Sequence, residues 1–217
     1  MKSGNFAWLL LALIVFLVGI PIADEFNVIG QPLVRAVAFS ALLGIGVLSL
    51  KGSGRPFTLA MVLVVAGVSA NIAASHTQSF WLIYTSLIFI MGFLLTAVFF
   101  TFKQVATDTE ISTNRIIGAI AVYLLMGVLW AVGYTIVELT WPGSIKGFEV
   151  GGNAQWNSEW LYFSFVTMTT LGYGDIAPVS AIARSLAYMQ AVFGQFYIAI
   201  LVAGLVGAYI SRQHRGR

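Results

Sequence analysis

The chain has 217 residues, 59% of them hydrophobic and only 9% charged, with a positive mean hydropathy, which is more apolar surface than a water-soluble domain of this size hides. Its solvent is therefore lipid, and stretches near the roughly 20 apolar residues needed to cross a ~30 Å hydrocarbon core recur along the chain. A formal net charge of +3 does not make a nucleic-acid binder, because the basic residues are scattered between apolar segments; the lack of cysteine excludes disulfides and thiolate metal sites, and two histidines, His76 and His214, are too few for a histidine-built one.

The fold class expected is an all-α membrane protein with six transmembrane helices, at 6–23, 33–50, 57–75, 80–102, 115–139 and 184–211. The first follows Met1 and Lys2 and resembles a signal peptide in charge and length. Pro21, Ile22, Ala23, Asp24 and Glu25 make a poor cleavage site, so it is read as a retained helix. Short polar breaks at 24–32, 51–56, 75–79 and 103–114 join the first five helices. The fourth helix has no arginine or lysine from Phe80 to Phe102, and Lys103 stands alone at its end.

The fifth connection, 140–183, is different in kind. A Gly-rich and aromatic stretch, 141–156, precedes an apolar run from Trp160 to Met168. A helix from Ser158 to Thr169 would be about 18 Å long, too short to span, so it enters the membrane part-way and returns. Asn157 or Ser158 suits its N-cap, and Glu159 suits the positive end of its dipole. Non-helical backbone at membrane depth must be shielded by protein or line an aqueous path, and a re-entrant loop does one or both.

With both termini cytoplasmic, the inside holds Lys2, Lys51, Arg55, Lys103, Arg115, Arg212, Arg215 and Arg217, against Arg35, Lys146 and Arg184 outside. That is a positive-inside bias, and it places the long connection on the external face.

The re-entrant run leads into Thr167-Met168-Thr169-Thr170-Leu171-Gly172-Tyr173-Gly174-Asp175. From Arg115 onward the sequence resembles the pore domain of tetrameric potassium channels: outer helix, pore helix, selectivity filter and inner helix. The resemblance implies residues 1–110 as a four-helix membrane domain without gating charges and 111–217 as the pore domain. It also implies an assembly of four identical subunits, since the chain has one copy of the motif and a carbonyl cage needs several.

In that family filter carbonyls replace the hydration shell of potassium. Here they belong to Thr170, Leu171, Gly172 and Tyr173, with Gly174 closing the motif and the Thr170 hydroxyl completing the innermost site. No resident cofactor is implied; K+ is the permeant ion, met by filter carbonyls. Thr169, Tyr162, Phe163, Val166 and Asp175 are the filter's expected support, with Tyr173 packing on pore-helix aromatics such as Phe163. Two departures stand out. Leu171 replaces the commoner Val, and Tyr162 stands where many relatives have a Trp bonded to the Asp outside the filter, which leaves Asp175 to bond the Tyr162 hydroxyl, another partner or water.

In the last helix Gly194 matches a hinge position or serves close packing, while Gln195, Ile198, Val202 and Val206 recur at helical spacing as cavity or gate residues. Arg184 pairs with an acid or snorkels to the interface, and Glu138, Glu149 and Glu159 either concentrate cations outside or do nothing specific.

The function implied is passive potassium conduction through a homotetramer in the plasma or inner membrane, with weak or no voltage dependence. Voltage gating needs several moving charges per subunit, each worth about 2.3 kcal/mol per 100 mV. Too few residues follow Ile210 for a folded sensor domain of about 50 residues. The partners expected are identical subunits and the bilayer, not nucleic acid, and a separate regulatory subunit is left open. The alternatives are a non-selective monovalent cation channel and a non-conducting accessory subunit. An intramembrane enzyme is disfavoured, since neither histidine lies at membrane depth beside a nucleophile.

Overall fold

The computed structural model describes residues 6–25, 42–46, 54–77, 79–107, 112–147 and 158–215. Six helices dominate: α1 (Phe6–Glu25), α2 (Arg55–Thr77), α3 (Phe80–Thr107), α4 (Thr113–Thr140), α5 (Ser158–Met168) and α6 (Ala181–Arg215). Residues 42–46 are also helical, and the remainder of the expected 33–50 span lies outside the described residues.

Among the described residues, three segments are long and apolar enough to cross a membrane, Pro56–Ala74, Phe80–Thr107 and Thr113–Thr140, with a shorter apolar stretch at Phe6–Gly19. The protein is a multi-pass membrane protein built mostly of helix. Several helices run beyond the expected spans. α3 continues past Phe102 through Lys103 and Gln104, and the Thr107 hydroxyl donates to the Lys103 carbonyl at 2.8 Å. The reason is physical: hydropathy marks where lipid ends, whereas a helix ends only where a breaker or cap stops it. α6 begins earlier than expected because the Ser180 hydroxyl caps it, accepting from the Ala183 N–H at 3.1 Å.

α4 is the hub. α1, α3, α5 and α6 all pack against it, and α2 packs on α3. Its buried residues include Gly118, Ala119, Ala121, Gly127 and Ala131, small side chains that let backbones approach where lipid supplies no hydrophobic drive between helices. Leu9, Leu13 and Phe16 of α1 meet Phe93 and Leu94 of α3 and Leu125 and Val128 of α4 in one core. The Phe6 N–H donates to Asn114 Oδ1 at 3.0 Å, and a Cβ on Gly118 would lie 2.7 Å from the Phe6 ring and 2.8 Å from Val105. The starts of α1 and α4 and the end of α3 therefore meet at one end of the bundle. At the other end the Tyr84 and Thr140 hydroxyls bond each other.

One short β pairing accompanies the helices. β1 (Ile145–Lys146) pairs antiparallel with β2 (Ala177–Pro178), in register Ile145↔Pro178 and Lys146↔Ala177. Two-residue strands are too short to leave an alternating pattern in a sequence.

Candidate functional site

The long connection folds as a short helix, a glycine-bearing loop and the β1–β2 clasp. α5 buries Leu161, Phe163, Ser164 and Met168 and packs between α4 and α6, touching α1 as well. Its approach to α4 depends on Gly127, where a Cβ would sit 2.3 Å from the Phe165 ring.

Beyond Met168 the chain is turned back onto the helix it leaves. The N–H of Thr169 donates to the Phe165 carbonyl at 3.0 Å and that of Thr170 to Thr167 at 3.0 Å. The Val166 carbonyl then accepts from both Leu171, at 2.9 Å, and Gly172, at 3.3 Å. Val166 thus supports the loop through its backbone.

The loop has an alternating hand. Thr170, Gly172 and Gly174 have φ of 59°, 56° and 83°, while Leu171 and Tyr173 between them do not have positive φ. In an ordinary strand successive carbonyls point to opposite sides; alternating left- and right-handed residues turn each peptide plane so that they point to the same side. Glycine adopts the left-handed region freely. Thr170 does not, and it is the one non-glycine residue with positive φ among those described, a conformation costing about 1–3 kcal/mol. Its hydroxyl donates to the Thr169 carbonyl at 2.6 Å, leaving oxygen lone pairs free, while the Thr169 hydroxyl donates to Phe165 at 2.7 Å.

Asp175 has the first of the partners foreseen for it. The Tyr162 hydroxyl donates to Asp175 Oδ2 at 2.7 Å. That bond holds the Asp175 carboxyl below its ordinary range, against an opposing contribution from desolvation. The same bond, followed by desolvation and the carboxylate's charge, pushes the Tyr162 phenol up to about 12.

Phe163 packs away from the loop. Successive helix residues are 100° apart, so with Tyr162 turned to Asp175, Phe163 points into the subunit. It is buried in a cluster with Tyr134, Val137, Ile145 and Ala183, its ring 4.7 Å from that of Tyr134. The Tyr173 side chain is 68% exposed and Leu171 55%.

The segment following the loop is held from α4. Glu138 is not a free surface charge: its carboxylate accepts from the N–H groups of Gly143, at 2.6 Å, and Ile145, at 2.9 Å. The Ser144 carbonyl then accepts from Val179, at 2.7 Å, and Ser180, at 3.2 Å. Gly147, at φ 98°, passes so near that a Cβ would lie 2.2 Å from the Asp175 carbonyl oxygen. The Nε of Arg184 donates to the Pro178 carbonyl at 3.3 Å. Glu149 lies outside the described residues.

On α6, Gly194 is buried where the helix crosses the end of α5, and a Cβ there would lie 2.5 Å from the Met168 carbonyl oxygen. A side chain at this position would meet α5 backbone. Gln195 and Ile198 are exposed, and the side chains of Val202 and Val206 lie outside the described residues. The buried amide of α6 is Gln190, which the sequence reading did not single out. It bonds Tyr134 of α4 at 2.6 Å and Ser164 of α5 at 2.7 Å. The available signal was polar residues within apolar helices, which seek partners away from lipid.

Residues 124–211, which hold most of α4, all of α5, the loop and most of α6, match the family model described as "Ion channel". The chain is 42% identical over 53 residues to two-pore potassium channel 5 of Arabidopsis thaliana, covering 24% of this chain and 13% of the relative. With two-pore potassium channel 1 of the same plant it shares 30% over 107 residues, 49% of this chain and 26% of that one. With the inward rectifier potassium channel Kirbac3.1 of Paramagnetospirillum magnetotacticum it shares 29% over 98 residues, 43% and 29% of the two chains. This chain therefore spans less than a third of the length of each of these relatives. Each of these relatives is a potassium channel by name, and residues 124–211 of this chain are similar to an ion-channel domain.

Proposed function

We propose that four copies of this chain form a potassium-selective pore. The carbonyls of Thr170, Leu171, Gly172 and Tyr173, with the Thr170 hydroxyl, take the place of the ion's water, and K+ passes without a cofactor. The observation that carries this reading is the alternation of hand at Thr170, Gly172 and Gly174, which suits a strand presenting its carbonyls to one axis. A single strand cannot enclose an ion, and the exposed Leu171, Tyr173, Phe196 and Ile200 side chains are what a neighbouring copy would cover.

In this reading α5 is the pore helix, its negative C-terminal end facing the cavity. α4 and α6 are the outer and inner helices of a pore domain at 111–217, and residues 1–110 contribute four further helices. Gln195 and Ile198, exposed on α6, and Val202 and Val206 beyond them are the proposed cavity and gate lining. The termini are cytoplasmic and the membrane is the plasma or inner membrane. Voltage dependence is weak, because α3 has no basic residue from Phe80 to Phe102.

The test is bi-ionic reversal potential of the purified protein in liposomes, alongside the Gly172→Ala variant. Wild type should prefer potassium strongly and the variant should lose selective current, since forcing a β-carbon into the left-handed region costs roughly 1–2 kcal/mol per residue and four subunits share the filter. Near-equal sodium and potassium permeability in wild type would show a non-selective cation channel instead. No flux from homomers under any condition would show an accessory subunit.

A further inference from the structure

α4, α5 and α6 meet at a polar relay inside an otherwise apolar bundle. Tyr134, Ser164 and Gln190 are each fully buried. Followed in the direction of donation, the Tyr134 hydroxyl gives its hydrogen to Gln190 Oε1 at 2.6 Å. Gln190 Nε2 donates to the Ser164 carbonyl at 3.0 Å and to Ser164 Oγ at 2.7 Å. The Ser164 hydroxyl donates to the Gly127 carbonyl at 2.7 Å.

The order is forced by chemistry. A carbonyl only accepts, so Ser164 must spend its one hydrogen on Gly127 and receive at its oxygen from Gln190. That turns the amide nitrogen of Gln190 toward α5 and its oxygen toward Tyr134. Every polar atom in the relay is used, and an apolar residue at 190 would strand partners on two other helices where no water replaces them.

The relay sits one helical turn from a second contact. Gly194 lies four residues after Gln190, and Met168 four after Ser164, so α6 touches α5 at successive turns: by the amide at Ser164, and by backbone approach at the Met168 carbonyl. Between them is Val166, whose carbonyl holds the N–H groups of Leu171 and Gly172. The last turn of α5, on which the loop hangs, is therefore fixed by α6 before and behind.

We infer that Gln190 is a positioning residue for ion selection: by locking Ser164 between α4 and α6 it sets where α5 ends and so the spacing at which the carbonyls from Thr170 onward meet the ion. This rests on the reading of that loop as the ion path. It assigns to a residue remote from the permeating ion, on the inner helix, a part in discriminating K+ from Na+.

The experiment uses the full chain reconstituted in liposomes, with Gln190→Met, Ser164→Ala, Tyr134→Phe and the Gln190→Met/Ser164→Ala double variant. The readouts are the K+ to Na+ permeability ratio and the thermal stability of the assembled protein. Expected is a fall in the ratio of about tenfold for Gln190→Met, within the range set by leaving buried polar groups unpaired. Ser164→Ala should fall similarly, Tyr134→Phe less, and the double variant no further than the worse single, because both cut one path.

A wild-type ratio in assembled Gln190→Met overturns the inference, and so does lost thermal stability with an unchanged ratio. If Gln190→Met does not assemble, Ser164→Ala and Tyr134→Phe, which remove one hydroxyl each, decide it: unchanged ratios in both overturn it. Selective wild-type current with unchanged variants sinks this inference alone. A wild type that conducts no potassium sinks the ion-path reading with it.

Discussion

α4 and α6 are both long apolar helices, yet they meet their surroundings in opposite ways. α4 buries residues along its whole length, from Gly118 to Val137. α6 buries Ala183, Gln190 and Gly194 but leaves Tyr188, Phe193, Phe196 and Ile200 exposed. Similar hydrophobicity thus serves two ends: α4 folds the subunit, and α6, held to it by a few close or polar contacts, keeps an apolar face for lipid or for another copy.

The contrast is broken most sharply at the contacts that hold α6. Gly194→Val should abolish assembly and potassium flux, because the new Cβ meets backbone at Met168 rather than a movable side chain. Gly204→Ala, ten residues on in the same helix with nothing within 4 Å of the added Cβ, should leave both intact. Size-exclusion profiles and liposome flux of the two proteins would check this, and equal behaviour would remove Gly194 from the contact.

Next in size is the core of α4. Leu125→Ala deletes a buried side chain and should destabilise the subunit itself by about 2–5 kcal/mol, read as a lower thermal transition in detergent. Phe196→Ser on α6 should leave that transition almost unmoved while shifting native mass spectra from the proposed tetramer toward monomer. A normal tetramer population in Phe196→Ser would mean that this face meets lipid.

The smallest effect is expected outside the membrane. Because the Tyr162 bond depresses the Asp175 carboxyl, its stabilisation is complete above the ordinary carboxylate value of 3.8 and is lost as pH falls through the lowered one. Tyr162→Phe should return that carboxyl toward its ordinary range and so move any acid-induced loss of current to higher pH. Titrating external pH against current for both proteins measures the shift, and coincident curves would detach Asp175 from filter stability.

How far the sequence could be read follows from what each signal contains. Hydropathy located the three described helices long enough to span and the glycine-bearing motif marked a loop, since both are written in consecutive residues. Which way a helix faces is written only when one side differs from the other. α6 is apolar nearly all round, so Gln195 was singled out while Gln190, 140° away on the helix, is the amide that is buried. The same gap separates Phe163 from Tyr162: both were read as facing the loop, and only packing shows that Tyr162 bonds Asp175 while Phe163 packs on Tyr134. Glu138 was read as surface charge because its acceptor role depends on a loop that doubles back to offer Gly143 and Ile145. That return is fixed by the β1–β2 pairing, which is too short to predict.

The clasp around Gly147 and Ser144 adds a consequence for mechanics. The far end of the loop is tied through Ser144 to α4, the helix most deeply set in its neighbours, whereas the near end hangs from α5 between Gln190 and Gly194 of α6. A strand anchored this way resembles a string fixed at the bridge and tuned at the peg. Small displacements of α6 would act first on the near end of the loop, while the clasp holds its far end.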